Sequence, residues 1–243
     1  MKTTPNLLTL ALALTTSVGV CTPSLAGDLS NFGAINQSEF LALSKDLAAA
    51  TSTKATEPAA PLGLSGFDIS GSATLTQTQA GAAWNKVTGS SVDQLVQTKV
   101  SATKGLPGGF DLGGFVSKVP TTNVTVSGVH LKYALINGNA VLPAVALRAS
   151  HSRMGGVSQM DLSNTGVELL ISKGFLGLTP YAGLGTVYSK AKANGVAGLS
   201  NESFSQTKSF VGVSWNVLMF NLSAEYDRTG ETSSYGLKAG VRF

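Results

Sequence analysis

From Gly66 to Phe243 the chain alternates apolar and polar side chains with a period of two, and it keeps that period through about ten separate segments. The closing stretch is the cleanest. Tyr235, Leu237, Ala239, Val241 and Phe243 point one way, and Gly236, Lys238, Gly240 and Arg242 point the other. Successive side chains on a strand project to opposite faces, so each segment has one greasy and one polar face. The segments fall near 66–78, 95–104, 110–118, 124–135, 141–152, 162–173, 179–190, 204–217 and 220–228, followed by the closing strand. Most are long enough to cross a bilayer when tilted, which takes about 9–11 residues. A soluble β-sandwich also has short strands and turns, but it buries its greasy faces against each other and uses shorter strands.

The alternating tail ends on an aromatic residue, and in this it resembles the last strand of Gram-negative outer-membrane β-barrel proteins. The resemblance implies an all-β fold: an antiparallel transmembrane barrel of about ten strands, porin-like in class. It also implies that Tyr235, Leu237, Val241 and Phe243 form part of an assembly signal. The partners it implies are outer-membrane lipid, the barrel assembly machinery and periplasmic chaperones, and the implied destination is the cell outer membrane. Connections alternate in length, as such barrels require. The stretches 79–94, 153–161, 191–203 and 229–234 are longer and polar, whereas 105–109, 136–140, 174–178 and 218–219 are tight. The short 120–123 link belongs by position to the long set. An even strand count predicts both mature ends on the periplasmic side.

The N-terminus fits an exported chain. Lys2 precedes an apolar run from Leu7 to Val20 that is too short to span a bilayer, and Ser24-Leu25-Ala26 supplies small residues for signal-peptide cleavage after Ala26. Cys21, the one cysteine, would leave with residues 1–26; Val20 stands where a lipoprotein signal wants a small residue. Loss of Lys2 reduces 17 basic residues to 16 against 13 acidic. The lysines are scattered, so no basic stripe for nucleic acid is present. A mature chain without cysteine has no disulfide frame and no thiolate metal site. A charged fraction of 12% is low for a soluble protein and suits a membrane barrel.

Between signal and barrel, residues 27–65 form a separate segment. Ser38 to Thr51 reads as a helix capped by Ser38, with Glu39 in its first turn and Phe40, Leu43 and Leu47 on one face. Residues 52–63, with Pro58, Pro61 and Gly63, read as a linker. The helix either occupies the barrel as a plug or lies beneath it, since its apolar stripe needs a partner.

With apolar residues facing lipid, His130, Lys132, Arg148, Glu168, Glu225, Asp227, Lys238 and Arg242 face the lumen. Adjacent strands then carry opposite charges, with Lys238 and Arg242 expected against Glu225 and Asp227. Such a network either fills a narrow lumen or forms a selectivity constriction. About ten strands enclose little open space, which favours the filled lumen.

Signals for chemistry are sparse. Ser150-His151-Ser152 lies near the rim with Asp161 across the loop, but His and Ser alternate in parity and cannot pair directly. This leaves a lipid-modifying or rim-protease enzyme as the alternative to a structural or narrow-pore barrel, with no catalytic residue assigned. Gly183-Leu-Gly185 lacks the third glycine of a dinucleotide loop, and no cofactor or metal site is expected. Trp84, Trp215, Tyr133, Tyr181, Tyr188, Tyr226 and Tyr235 are candidates for interfacial girdles.

Overall fold

A computed structural model describes residues 27–120 and 122–243; the expected signal peptide, residues 1–26, lies outside the described residues. Ten antiparallel strands close on themselves: β1 (Phe67–Gln77), β2 (Gln94–Leu106), β3 (Phe110–Lys118), β4 (Thr125–Ile136), β5 (Ala144–Gly155), β6 (Met160–Ser172), β7 (Leu178–Ala193), β8 (Glu202–Val217), β9 (Phe220–Thr229) and β10 (Thr232–Arg242). Each strand pairs with its sequence neighbour, and β1 pairs with β10 in the register Asp68↔Arg242, Gly71↔Ala239 and Thr76↔Ser234. No edge is left to template aggregation. Closure also removes the sandwich alternative, because there is no second sheet for the greasy faces to pack against.

The two parities separate as the alternation requires. Ile69, Val100, Val116, Val129, Val167, Leu184, Val211 and Leu237 all stand exposed on the outside. A water-soluble monomer rarely exposes contiguous apolar area beyond a few hundred Å². Ser70, Thr74, Asp111, Lys132, Arg148, Glu168, Lys208 and Asp227 are buried inside. The β4–β5 connection runs 137–143, longer than the expected 136–140. Asn139 there accepts the backbone N–H groups of Val141 and Leu142, both at 2.8 Å, so these two apolar residues turn out of the strand.

Helix α1 (Gln37–Thr51) forms where expected, but its cap is Asn36, not Ser38. The Asn36 side chain accepts from the Glu39 N–H at 3.0 Å, and the Glu39 carboxylate accepts from the Asn36 N–H at 3.0 Å. This reciprocal capping box satisfies two orphan donors at once. Helix α2 (Gly81–Thr88) lies in the β1–β2 connection, which reads as a loop because the helix is short and flanked by glycine. Among the described residues no helix is long and apolar enough to cross a membrane, which says nothing of the strands.

The larger apolar cluster fills the mouth of the barrel, and a smaller one, Ala59 with Ala146, Leu170, Tyr181 and Phe210, lies on the inward wall. Leu29, Phe32, Phe40, Leu43 and Leu47 pack against Trp84, Val87, Val126, Met154 and Leu162. Two aromatic residues expected in girdles belong to the interior instead. Trp84 is fully buried against α1, and Tyr181, on the inward parity of β7, is 4% exposed. Trp215, Tyr133, Tyr188, Tyr226 and Tyr235 do face outward.

Candidate functional site

The inward parity of the strands and the segment between α1 and β1 meet in one continuous set of contacts. The segment runs from the long-loop end of the barrel to the tight-turn end, with partners in the β1–β2 connection and then along the wall. In α1, Asp46 accepts from the Gln79 and Ala80 backbone N–H groups at 2.8 and 2.9 Å and from the Trp84 indole at 2.9 Å. Ser152 of β5 donates to the Thr51 carbonyl at 2.8 Å, and Asn164 of β6 donates to the Thr51 hydroxyl at 2.9 Å. Lys208 of β8 donates to the Thr53 carbonyl at 2.6 Å, and Lys99 of β2 donates to the Lys54 carbonyl. The Lys54 ammonium lies 2.7 Å from the Asp227 carboxylate of β9.

Glu57 comes next. Its Oε1 lies 3.4 Å from His130 Nε2 and 3.7 Å from both Lys132 Nζ and Arg148 Nη1. Lys132 also donates to the carbonyls of Pro58 and Ala60 and pairs with Asp111 at 3.0 Å. Nearest the tight turns, Ala59 N–H donates to Ser172 at 3.1 Å and Leu62 N–H donates to Asp111 at 3.1 Å. All these ionic side chains are at most 8% exposed. Charges so far from water persist only when paired and hydrogen-bonded.

The eight lumen charges expected from parity all lie on the interior side, and seven of them are buried; Arg242 remains partly open at the tight-turn end. Their pairing differs from the expectation at the closing seam. Lys238 and Arg242 turn to Asp68 of β1, at 2.9 and 3.6 Å, and not to Glu225 and Asp227. The β10–β1 register sets Asp68 opposite Arg242, whereas Lys238 faces Ser223 on β9. Glu225 instead accepts from the Tyr181 hydroxyl at 3.0 Å. Arg148 and Lys208 share Glu168, and Lys208 also reaches Asp227 at 3.6 Å.

Asp68, Lys99, Asp111 and Lys208 join the network although they were not among the eight, and their inward parity is the signal that finds them. Lys54 and Glu57 have no such signal, because nothing in a Pro- and Thr-rich linker says which wall it meets.

The rim histidine is placed differently from the arrangement its neighbours suggest. His151 faces outward, and its Nδ1 lies 3.1 Å from the Thr165 hydroxyl. Asp161 pairs with Arg153 at 3.8 Å and accepts from Asn194 at 3.0 Å, so it does not orient His151. Among the described residues no three metal-ligating side chains gather. At the mouth, Glu39 accepts from Lys86 at 2.6 Å, and this bond, helped by the Asn36 N–H, holds the Glu39 carboxyl below its usual range.

No protein-family model matches the chain, and no curated protein matches it. Among solved structures it is similar to the KdgM porin in complex with disordered oligogalacturonate, at 9% identity over 72% of this chain and 99% of that chain, with a TM-score of 0.39. It is similar to the β domain of the Bordetella autotransporter BrkA at 13% identity over 74% and 99% of the two chains, with a TM-score of 0.40. Neisserial surface protein A matches at 14% identity over 72% and 95%, with a TM-score of 0.33. The architecture rests on the strand ladder itself. A closed antiparallel barrel with an apolar exterior and a charged interior is the outer-membrane type of β-barrel.

Proposed function

We propose that this protein is an integral barrel of the Gram-negative outer membrane whose lumen is closed by its own residues 37–62, giving it a structural role with no standing pore. The supporting observation is the series of wall contacts from Thr51 to Leu62, which involves β2, β3, β4, β5, β6, β8 and β9. Ten strands leave room for little beyond side chains, so one extended chain with its paired charges fills the bore. A lumen held this way passes solute only if the segment leaves, and leaving would expose several unpaired charges at once.

Planar-bilayer recording of purified protein tests this reading. The intact chain should give no steady conductance, and a variant lacking residues 27–60 should give discrete channels. Equal conductance from both would remove the plug. Heat-modifiable gel migration and extraction only by detergent test the membrane barrel; a monomer soluble without detergent would overturn it. The enzymatic alternative is checked by lipid A and peptide cleavage assays with His151→Ala as the control.

A further inference from the structure

At the tight-turn end, β1 starts beside the C-terminus: Phe67 N–H donates to the Phe243 carbonyl at 3.1 Å, and Phe243 N–H donates back at 2.9 Å. From there, reading towards the N-terminus, the wall contacts climb steadily away from the tight turns. They pass Asp111 and Ser172 near the turns, then Lys132 and Arg148 at mid-barrel, then Asn164 and Ser152 towards the opposite rim.

Residues 28–37 are then fastened to the opposite set of loops. Leu29 N–H donates to the Asn123 side chain at 3.1 Å, and Phe32 N–H donates to the Gln159 side chain at 3.3 Å. Asn31 N–H donates to the Val87 carbonyl at 3.4 Å, and Ser200 N–H donates to the Gln37 side chain at 2.8 Å. Four different long-side connections therefore hold this stretch. The expectation that both mature ends share one side is overturned: the described N-terminal residues and Phe243 lie at opposite ends of the barrel.

In barrels of this class the short turns face the periplasm and the longer loops face outward. We infer that residues 27–36 stand on the outer surface of the cell, so that this barrel carries its own N-terminal segment across the membrane. The inference rests on the outer-membrane reading above. The lengths agree with it. Residues 52–66 are not helical. At up to about 3.3 Å per residue, fifteen residues reach roughly 50 Å, ample for an apolar band about 25 Å tall. A helix of the same length would cover only about 22 Å. The apolar residues that follow the crossing, Leu29, Phe32, Ile35 and Phe40, are buried beneath the outer loops, which locks the segment after passage.

Single-cysteine probes test the side directly, in full-length protein carrying Cys21→Ser. Gly33 is exposed and a Cβ there meets nothing within 4 Å, so Gly33→Cys leaves the fold alone. Ala197→Cys reports the β7–β8 loop, and Ala140→Cys reports the tight β4–β5 turn; both positions are exposed. Intact cells are treated with a membrane-impermeant maleimide, then permeabilised and treated again. The expected result is full labelling of Gly33→Cys and Ala197→Cys before permeabilisation, and of Ala140→Cys only after it. Ala197→Cys labelled early with Gly33→Cys protected would overturn the inference and leave the barrel's orientation standing. Ala140→Cys labelled early with Ala197→Cys protected would overturn the orientation and the inference together. An epitope inserted between Gly27 and Asp28 gives a second readout: antibody binding to intact cells supports surface exposure, and binding only to lysed cells refutes it.

Discussion

Lys54 Nζ lies 2.7 Å from Asp227 Oδ1, with both side chains no more than 3% exposed. One residue is in the lumen segment and the other on β9, so this pair ties the threaded chain to the wall. Lys54→Met should destabilise the barrel towards the lower end of the roughly 3–5 kcal/mol that breaking a buried pair costs, because Lys208 still neutralises Asp227. Adding Asp227→Asn should recover part of the loss. Urea unfolding in lipid vesicles, run as a double-mutant cycle, measures the coupling. Additive losses would mean that the pair is not formed.

Glu57 meets Lys132, Arg148 and His130, and each has another partner: Asp111 for Lys132, Glu168 for Arg148 and the Thr103 hydroxyl, at 3.5 Å, for His130. Glu57→Gln should therefore loosen the segment at mid-barrel without breaking the wall. The expected outcome is brief, flickering openings in planar bilayers, against none from the native chain if its lumen is closed, together with faster amide exchange at residues 52–62. Silent recordings with unchanged exchange would show that Glu57 holds nothing.

The wall was legible in the sequence and its contents were not. Period-two alternation places Ile69 outside and Asp68 inside without any further information, and the same parity puts Arg148 and Glu168 side by side. Their pairing follows from the antiparallel neighbour rule, since Arg148 and Glu168 are directly opposed in the β5–β6 register. The rule fails where an inward residue has a third neighbour. Asp227 has two basic partners, Lys208 on β8 and Lys54 in the linker, and only the first lies on a strand whose parity can be read. Trp84 is illegible for a related reason: an aromatic in a loop looks interfacial until the helix that buries it is known. The course of the chain through the barrel leaves no periodic trace, because an extended segment paired to many strands repeats nothing.

Glycine at position 183 is required by an inward ring. A Cβ there would stand 2.3 Å from Phe210 Cζ and 2.8 Å from the Leu169 carbonyl oxygen. Phe210 lies directly across the β7–β8 ladder and is 2% exposed, with Arg148 and Lys208 both over its face. Gly183→Val should cost about 1–3 kcal/mol by overpacking and slow folding into vesicles. Gly71→Val, whose Cβ meets nothing within 4 Å on the outward face, should be near neutral. Gel-shift folding assays of the two variants side by side decide this.

Acid should act on the mouth through Glu39. Glu39 is held below the ordinary carboxylate range by the Lys86 ammonium and the Asn36 N–H. A carboxyl lowered on folding contributes stability that is complete above its unfolded value and lost as pH falls through its folded one. The contact between α1 and α2 should thus persist at mildly acidic pH and weaken only below the usual carboxylate range. Amide exchange of residues 36–42 followed from neutral to acid pH, with Glu39→Gln as the reference, shows whether the weakening depends on this group.

Asp46 and Trp84 give an optical report on whether α1 stays seated. Asp46 is 2% exposed and accepts from the Trp84 indole, two backbone N–H groups of the β1–β2 connection and the Thr232 hydroxyl. Asp46→Ala leaves those donors without an acceptor, at about 1–3 kcal/mol for each group that water cannot reach. In a Trp215→Phe background Trp84 is the sole tryptophan, since the chain has two. Its emission should be blue-shifted and shielded from acrylamide in the parent, because the side chain is fully buried. Asp46→Ala should move the emission to the red and raise the quenching constant as the helix lifts from the mouth. Asp46→Asn, which keeps one acceptor oxygen, should fall between the two. Equal quenching in all three would mean that α1 is held by its apolar face alone, with the carboxylate incidental.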